Sequence, residues 1–133
     1  MYLVDTSAWI EYLRDTGSAA CLEVERLLRT GARVATTEPI VMELLAGAST
    51  PHALSQLQTL TSGLPLLQVD ARVDYHDAAA IYRSARVGGH TVRKLIDCLI
   101  AAVALRNQAI LLHRDADFDV IAQCVPLAAV SPA

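Results

Sequence analysis

Lysine is almost missing from this chain of 133 residues: its eleven basic side chains are ten arginines and the single Lys94. With fourteen acids the formal net charge is −3, which excludes the wholesale basic surface of a protein that binds nucleic acid non-specifically. The preference for arginine says little by itself, because an alanine-rich, GC-biased sequence shows the same preference. Paired cysteines are also missing. Cys21, Cys98 and Cys124 are odd in number and lack C-x-x-C spacing, so free, buried thiols are expected rather than disulfides or a zinc site. No apolar run reaches the roughly 18 residues of a membrane span, and the amino terminus lacks a basic segment followed by an apolar one. The reading is a cytoplasmic protein with no membrane association. Repeats, linkers and low-complexity stretches are absent, so one domain covering residues 1–133 is expected.

What is present is apolar and regularly alternating. Hydrophobic residues make up 53% of the chain and the mean hydropathy is +0.36, enough to bury a sizeable core. Tyr2-Leu3-Val4 is a short β-favouring run with no polar alternation, as in a strand covered on both faces. It stops at Asp5, after which Thr6 or Ser7 can cap a helix carrying Trp9, Ile10 and Leu13. Further strands are expected at 32–35, 66–69, 109–112 and 125–130, the last interrupted by Pro126 as suits an edge. Helices are expected between them, notably from Pro39 to Ala46, from Asp70 to Val87 and from about Val92 to Asn107. Strand and helix alternate throughout, which predicts an α/β fold: a central parallel sheet of about five strands, flanked on both faces by helices through right-handed crossovers.

Two acids break apolar helical runs: Glu43 in Ile-Val-Met-Glu-Leu-Leu and Asp97 in Leu-Ile-Asp-Cys-Leu-Ile. Each either marks the one wet face of its helix or has a buried partner, since a lone buried charge costs several kcal/mol. Asp115 follows the strand at 109–112 much as Asp5 follows the first. One of Asp115 and Asp117 is expected to cap the helix that begins there. If those two strands are neighbours, Asp5 and Asp115 stand side by side at a topological switch point, where open α/β sheets bind ligands. Four converging carboxylates repel one another unless some are protonated or a hard divalent cation neutralises them. Oxygen-only donors suit Mg²⁺ or Mn²⁺ rather than zinc.

The segments Leu3-Val4-Asp5-Thr6-Ser7, Val-Met-Glu43-Leu-Leu-Ala-Gly, Leu-Ile-Asp97-Cys-Leu-Ile-Ala-Ala and Asp115-Ala-Asp117-Phe118 resemble, in order and over essentially the whole chain, the four signature segments of PIN-domain ribonucleases, in particular the VapC toxins of bacterial toxin–antitoxin pairs. The resemblance implies a metal-dependent endoribonuclease in which Asp5, Glu43, Asp97 and Asp115 are the catalytic and metal-holding quartet, with Asp117 a candidate fifth member. It also implies an RNA substrate, a cognate VapB-like antitoxin and a homodimer. His113 stands where the family commonly has a serine or threonine, and a single histidine beside a strand end is more often packed than catalytic. Thr6, Ser7, Arg86, Arg93 and Arg114 are candidates for holding substrate. Arg83, Arg86, Arg93, Lys94 and Arg114 either clamp an RNA backbone or form a solvated face. Three other readings remain at this point. A non-catalytic receiver or binding domain would use Asp70, a related nuclease would act on DNA, and a PIN-like scaffold would be catalytically silent.

Overall fold

In the computed structural model, which describes residues 1–133, four short parallel strands form one sheet. They are β1 (Tyr2–Val4), β2 (Val34–Ala35), β3 (Ile110–Leu112) and β4 (Ala129–Val130), in the spatial order β2-β1-β3-β4. Tyr2, Leu3 and Val4 pair with Ile110, Leu111 and Leu112, while Tyr2 and Leu3 pair on the other side with Val34 and Ala35. The chain leaves β1 in one direction to reach β2 and crosses to its other side to form β3. The reversal therefore lies between β1 and β3, and it opens a crevice at their carboxyl ends.

Seven helices cover the sheet: α1 (Thr6–Leu13), α2 (Ala19–Arg29), α3 (Glu38–Ala46), α4 (Pro51–Ser62), α5 (Asp74–Val87), α6 (Leu95–Arg106) and α7 (Ala116–Cys124). α1 packs on α2, while α5, α6 and α7 pack on one another, and α3 touches α1, α4 and α6. With right-handed crossovers running in opposite directions from β1, these two groups occupy opposite faces. Leu3, Val4, Leu111 and Leu112 are fully buried between Trp9, Val24 and Leu27 and the apolar residues Ile100, Phe118 and Ile121. α6 is enclosed almost all round, from Asp97 and Cys98 through Val103 and Ala104. Its alanines, facing an α5 that buries Ala78 and Ala85, allow the two helices to approach closely.

The expected strand at 66–69 is reduced to one parallel bridge, Thr36 with Leu66. Its backbone groups are taken by side chains instead of a ladder. Glu38 Oε1 accepts the Val69 N–H at 2.8 Å and Arg106 Nη2 donates to the Gln68 carbonyl at 2.7 Å, while Pro65 has no N–H to offer. The sheet therefore has four strands rather than about five. Two helices also begin later than their periodicity implies. Residues 70–73 form a turn in which the Asp70 carbonyl accepts from Val73 and Asp74, and Arg93 is held outside α6 because its N–H donates to Asp117.

Candidate metal centre and the acids around it

Asp5 and Asp115 occupy equivalent places, each following one of two adjacent strands and each capping a helix. Asp5 Oδ2 accepts the Ser7 N–H at 2.9 Å at the start of α1, and Asp115 Oδ1 accepts the Asp117 N–H at 3.0 Å at the start of α7. An acid is favoured at such a cap because the first helical amides lack partners. Ser7 ties the two ends together. Its hydroxyl donates to Asp5 Oδ2 at 2.6 Å and accepts the Arg114 N–H at 2.9 Å. Ser7→Ala would remove both bonds and is expected to cost about 1–2 kcal/mol, read as a lower midpoint in urea with an unchanged slope.

The two mid-helix acids reach the same crevice. Asp97, in the first turn of α6, is 1% exposed, and burial pushes its carboxyl up to about 7. Lys94 works against that rise, and Asp5, Asp115 and Glu43 add to it by repulsion. Asp97 therefore feels the other three acids across the crevice. Glu43, on α3, is steadied by Thr6, whose hydroxyl donates to Oε1 at 2.8 Å. Asp5 is also raised, first by burial, against the bonds from Ser7 and with repulsion from Asp115. For Asp115 burial is outweighed by the Asp117 amide, Lys94 and Arg93, which hold it below the usual carboxylate range.

Asp97, Asp115 and Asp117 can each bring a carboxylate oxygen within 4.8 Å of the other two. Around them lie two cationic side chains. Arg93 donates from Nε to Asp117 Oδ1 at 3.3 Å and from Nη2 to Asp115 Oδ1 at 3.4 Å. Lys94 Nζ stands 3.2 Å from Asp115 Oδ2 and 3.7 Å from Asp97 Oδ2. Even so, Asp97 Oδ2 is buried with no hydrogen-bond partner. An orphaned carboxylate oxygen among oxygen-only donors is the chemistry of a site for a hard divalent cation, so Mg²⁺ or Mn²⁺ fits the residues present.

The remaining candidates are more dispersed. Thr6 and Ser7 spend their hydroxyls on Glu43 and Asp5. Arg114 carries its guanidinium to Glu11 across from α1, and Arg86 lies 5.3 Å over the Tyr82 ring, on α5. Of the five basic residues around the Gly88-Gly89 turn and the Asp97 helix, only Arg93 and Lys94 form ion pairs with the quartet or Asp117. His113 is fully buried against Phe118, with Nδ1 accepting the Asp115 N–H at 3.1 Å, and burial lowers its pKa. It supports the backbone of Asp115 through Nδ1, and its Nε2 lies 3.7 Å from Asp119. Asp70 forms an exposed pair with Arg72 and is not among the acids that act on Asp97. What sequence reading missed is Lys94 as the counter-ion of this cluster; its i, i+3 spacing to Asp97 on a helix start was the available signal.

Comparison with known proteins decides the family. The family model described as "PIN domain" matches residues 2–123. The chain belongs to the PIN-domain family. Within it, this PIN domain is 54% identical over 132 residues to ribonuclease VapC11 of Mycobacterium tuberculosis and to VapC ribonuclease Mb1587 of Mycobacterium bovis, covering 98% of both partners in each case. Among solved structures, VapBC2 from Rickettsia felis, bound to a promoter DNA fragment, superposes with a TM-score of 0.77 at 17% identity, covering 99% of this chain and 98% of that one. That likeness is one of fold. Identity above one half over the full length carries the relationship to VapC proteins, and no helix of this PIN domain is long and apolar enough to cross a membrane.

Proposed function

We propose that this PIN domain is the toxin of a VapBC-like toxin–antitoxin pair and a Mg²⁺- or Mn²⁺-dependent endoribonuclease of the cytoplasm, hydrolysing RNA phosphodiester bonds. The observation that carries the reading is the unpaired, buried Asp97 Oδ2 among Asp5, Glu43 and Asp115 at the β1/β3 switch point. Asp5 and Asp97 would be the most direct holders of the cation, and Asp115 and Asp117, whose carboxylate oxygens come within 4.8 Å of one another and of that of Asp97, would complete the site. When bound, the cation would polarise the scissile phosphate and raise the acidity of water at the site. Glu43, its Oε1 fixed by Thr6, is placed to orient the attacking water and take its proton. Ser7 fixes the Asp5 carboxylate through its hydroxyl and backbone N–H, and Arg93, paired with Asp115 and Asp117, offsets the repulsion between the acids and an approaching RNA backbone.

The solved VapBC complexes of this fold support an antitoxin as the partner. A second copy of the chain is the other proposed partner. Met42, Tyr75 and Leu95 are each more than half exposed, and the pockets they line are continued by Val69, Ile96 and Leu99. Such an apolar strip suits a homodimer.

The test is to incubate antitoxin-free protein with total cellular RNA in Mg²⁺, Mn²⁺ or EDTA and to sequence the new 5′ ends. Discrete cuts that require the divalent ion and leave a 5′-phosphate and 3′-hydroxyl are expected. A 2′,3′-cyclic phosphate would mean that the RNA's own 2′-hydroxyl attacks, and the water-based mechanism would be wrong. Cutting of DNA in place of RNA would move the protein to the other nuclease reading.

A further inference from the structure

The chain's only lysine is placed where its acids meet. Lys94 is the N-cap of α6, and its backbone is extended, with φ −121° and ψ 115°. Its side chain does nothing for the helix start, where it makes no capping bond, and instead stretches to Asp115 and Asp97. The 3.2 Å contact with Asp115 is a good charge-assisted bond, but the 3.7 Å separation from Asp97 Oδ2 leaves that oxygen orphaned. One ammonium thus serves two acids and satisfies only the less buried of them. A small doubly charged cation could touch both.

Arg93 is fixed beside the acids by its own backbone N–H, which is bonded to Asp117, so its guanidinium, 3.3 Å from Asp117 and 3.4 Å from Asp115, stays near them even when those contacts loosen. Lys94 is tethered differently. Its side chain is 51% exposed, and a flexible four-carbon stem lets the ammonium leave the acids without moving α6. Once expelled, it remains at the mouth of an anionic crevice, one helical turn from Asp97, where an RNA phosphate must approach.

We propose that Lys94 is a displaceable counter-ion that holds the carboxylates in the cation-free protein, is expelled by the divalent cation, and then binds a phosphate oxygen of the RNA. This rests on the reading that Asp97 and Asp115 hold a divalent cation. It makes cation binding a competition with a side chain of the protein, so that the site closes on itself when the cation is scarce.

The single lysine makes the test direct. In the full chain labelled with ¹⁵N-lysine, Lys94 gives the one side-chain ammonium signal, and adding Mg²⁺ should move it from a carboxylate-bound position to that of a free lysine. Lys94→Met should bind Mn²⁺ about five-fold more tightly by calorimetry, since no charge has to be expelled. The same variant, with Ca²⁺ in place of Mg²⁺ to prevent cutting, should bind a short single-stranded RNA about five-fold more weakly. A residue that merely held the fold would weaken both. If Mg²⁺ binds and the Lys94 signal stays where it was, or if either affinity in Lys94→Met is unchanged or moves the opposite way, the proposal is overturned while the cation site stands. If the wild type binds no Mn²⁺, or Asp97→Asn binds it equally well, the cation reading itself fails and the displacement falls with it.

Discussion

Asp97→Asn is expected to lower divalent-dependent RNA cleavage by about a thousand-fold or more, because several kcal/mol of transition-state stabilisation depend on the charge it holds in place. The same change should make the cation-free protein more stable, which is the opposite of what a damaged core residue does. Burial raises the Asp97 carboxyl from its ordinary range to about 7. A group raised in this way binds its proton more tightly in the folded state. It costs almost nothing below about pH 4, where both states are protonated, and the penalty grows between about pH 4 and 7 and then levels off, at no more than about 4 kcal/mol. Asparagine removes that cost. Thermal melts in EDTA should therefore show the variant above the wild type at pH 8, with the gap closing at pH 4. Added Mg²⁺ should raise the wild type's melting temperature and leave the variant's unmoved. Equal melts at every pH would mean that Asp97 is not the strained acid of the site.

Arg106→Met is expected to have the largest effect on folding. Asp74 is fully buried at the start of α5, and Arg106, at the end of α6, grips it through Nε at 2.9 Å and Nη2 at 2.8 Å while also bonding the Gln68 carbonyl. Asp74 Oδ2 accepts the Asp70 N–H at 2.7 Å as well. One guanidinium thus fixes the turn at 70–73, the irregular segment before it and the contact between two long helices. Removing it leaves a buried carboxylate without its counter-charge, at a cost of about 3–5 kcal/mol, or roughly 10–20 °C in melting temperature. Burial alone would raise the Asp74 carboxyl, but the bonds from Arg106 and Asp70 hold it below its ordinary value. The stability it contributes is accordingly present above the unfolded carboxylate pKa and is lost as pH falls through the lower folded value. The difference between wild type and Arg106→Met should therefore shrink in acid, and Asp74→Leu combined with Arg106→Met should recover much of the loss. A double variant no better than Arg106→Met would mean that lost packing, not the stranded charge, is responsible.

The local elements and the candidate acids could be read from the chain because their causes are local. The apolar runs that end at Asp5 and just before Asp115, the helix starts that follow, and the acids interrupting apolar helices at Glu43 and Asp97 are each visible within a few positions of sequence. The order of elements also implied a parallel sheet, since strands separated by helices must cross over.

What the tertiary structure decided involves partners far apart in sequence. The pairing of β1 with β3 brings Asp5 beside Asp115, and no periodicity encodes which strands are neighbours. The strand expected at 66–69 was lost to two side chains, Glu38 and Arg106, that lie 31 and 38 positions from the backbone groups they bind. Lys94 lay in a basic stretch that could have been solvated surface; only the fold put its ammonium against Asp115, because α7 begins beside the start of α6. A residue's type and spacing determine what it can bond to. Which of those bonds form depends on what the packing of distant segments leaves within about 3 Å.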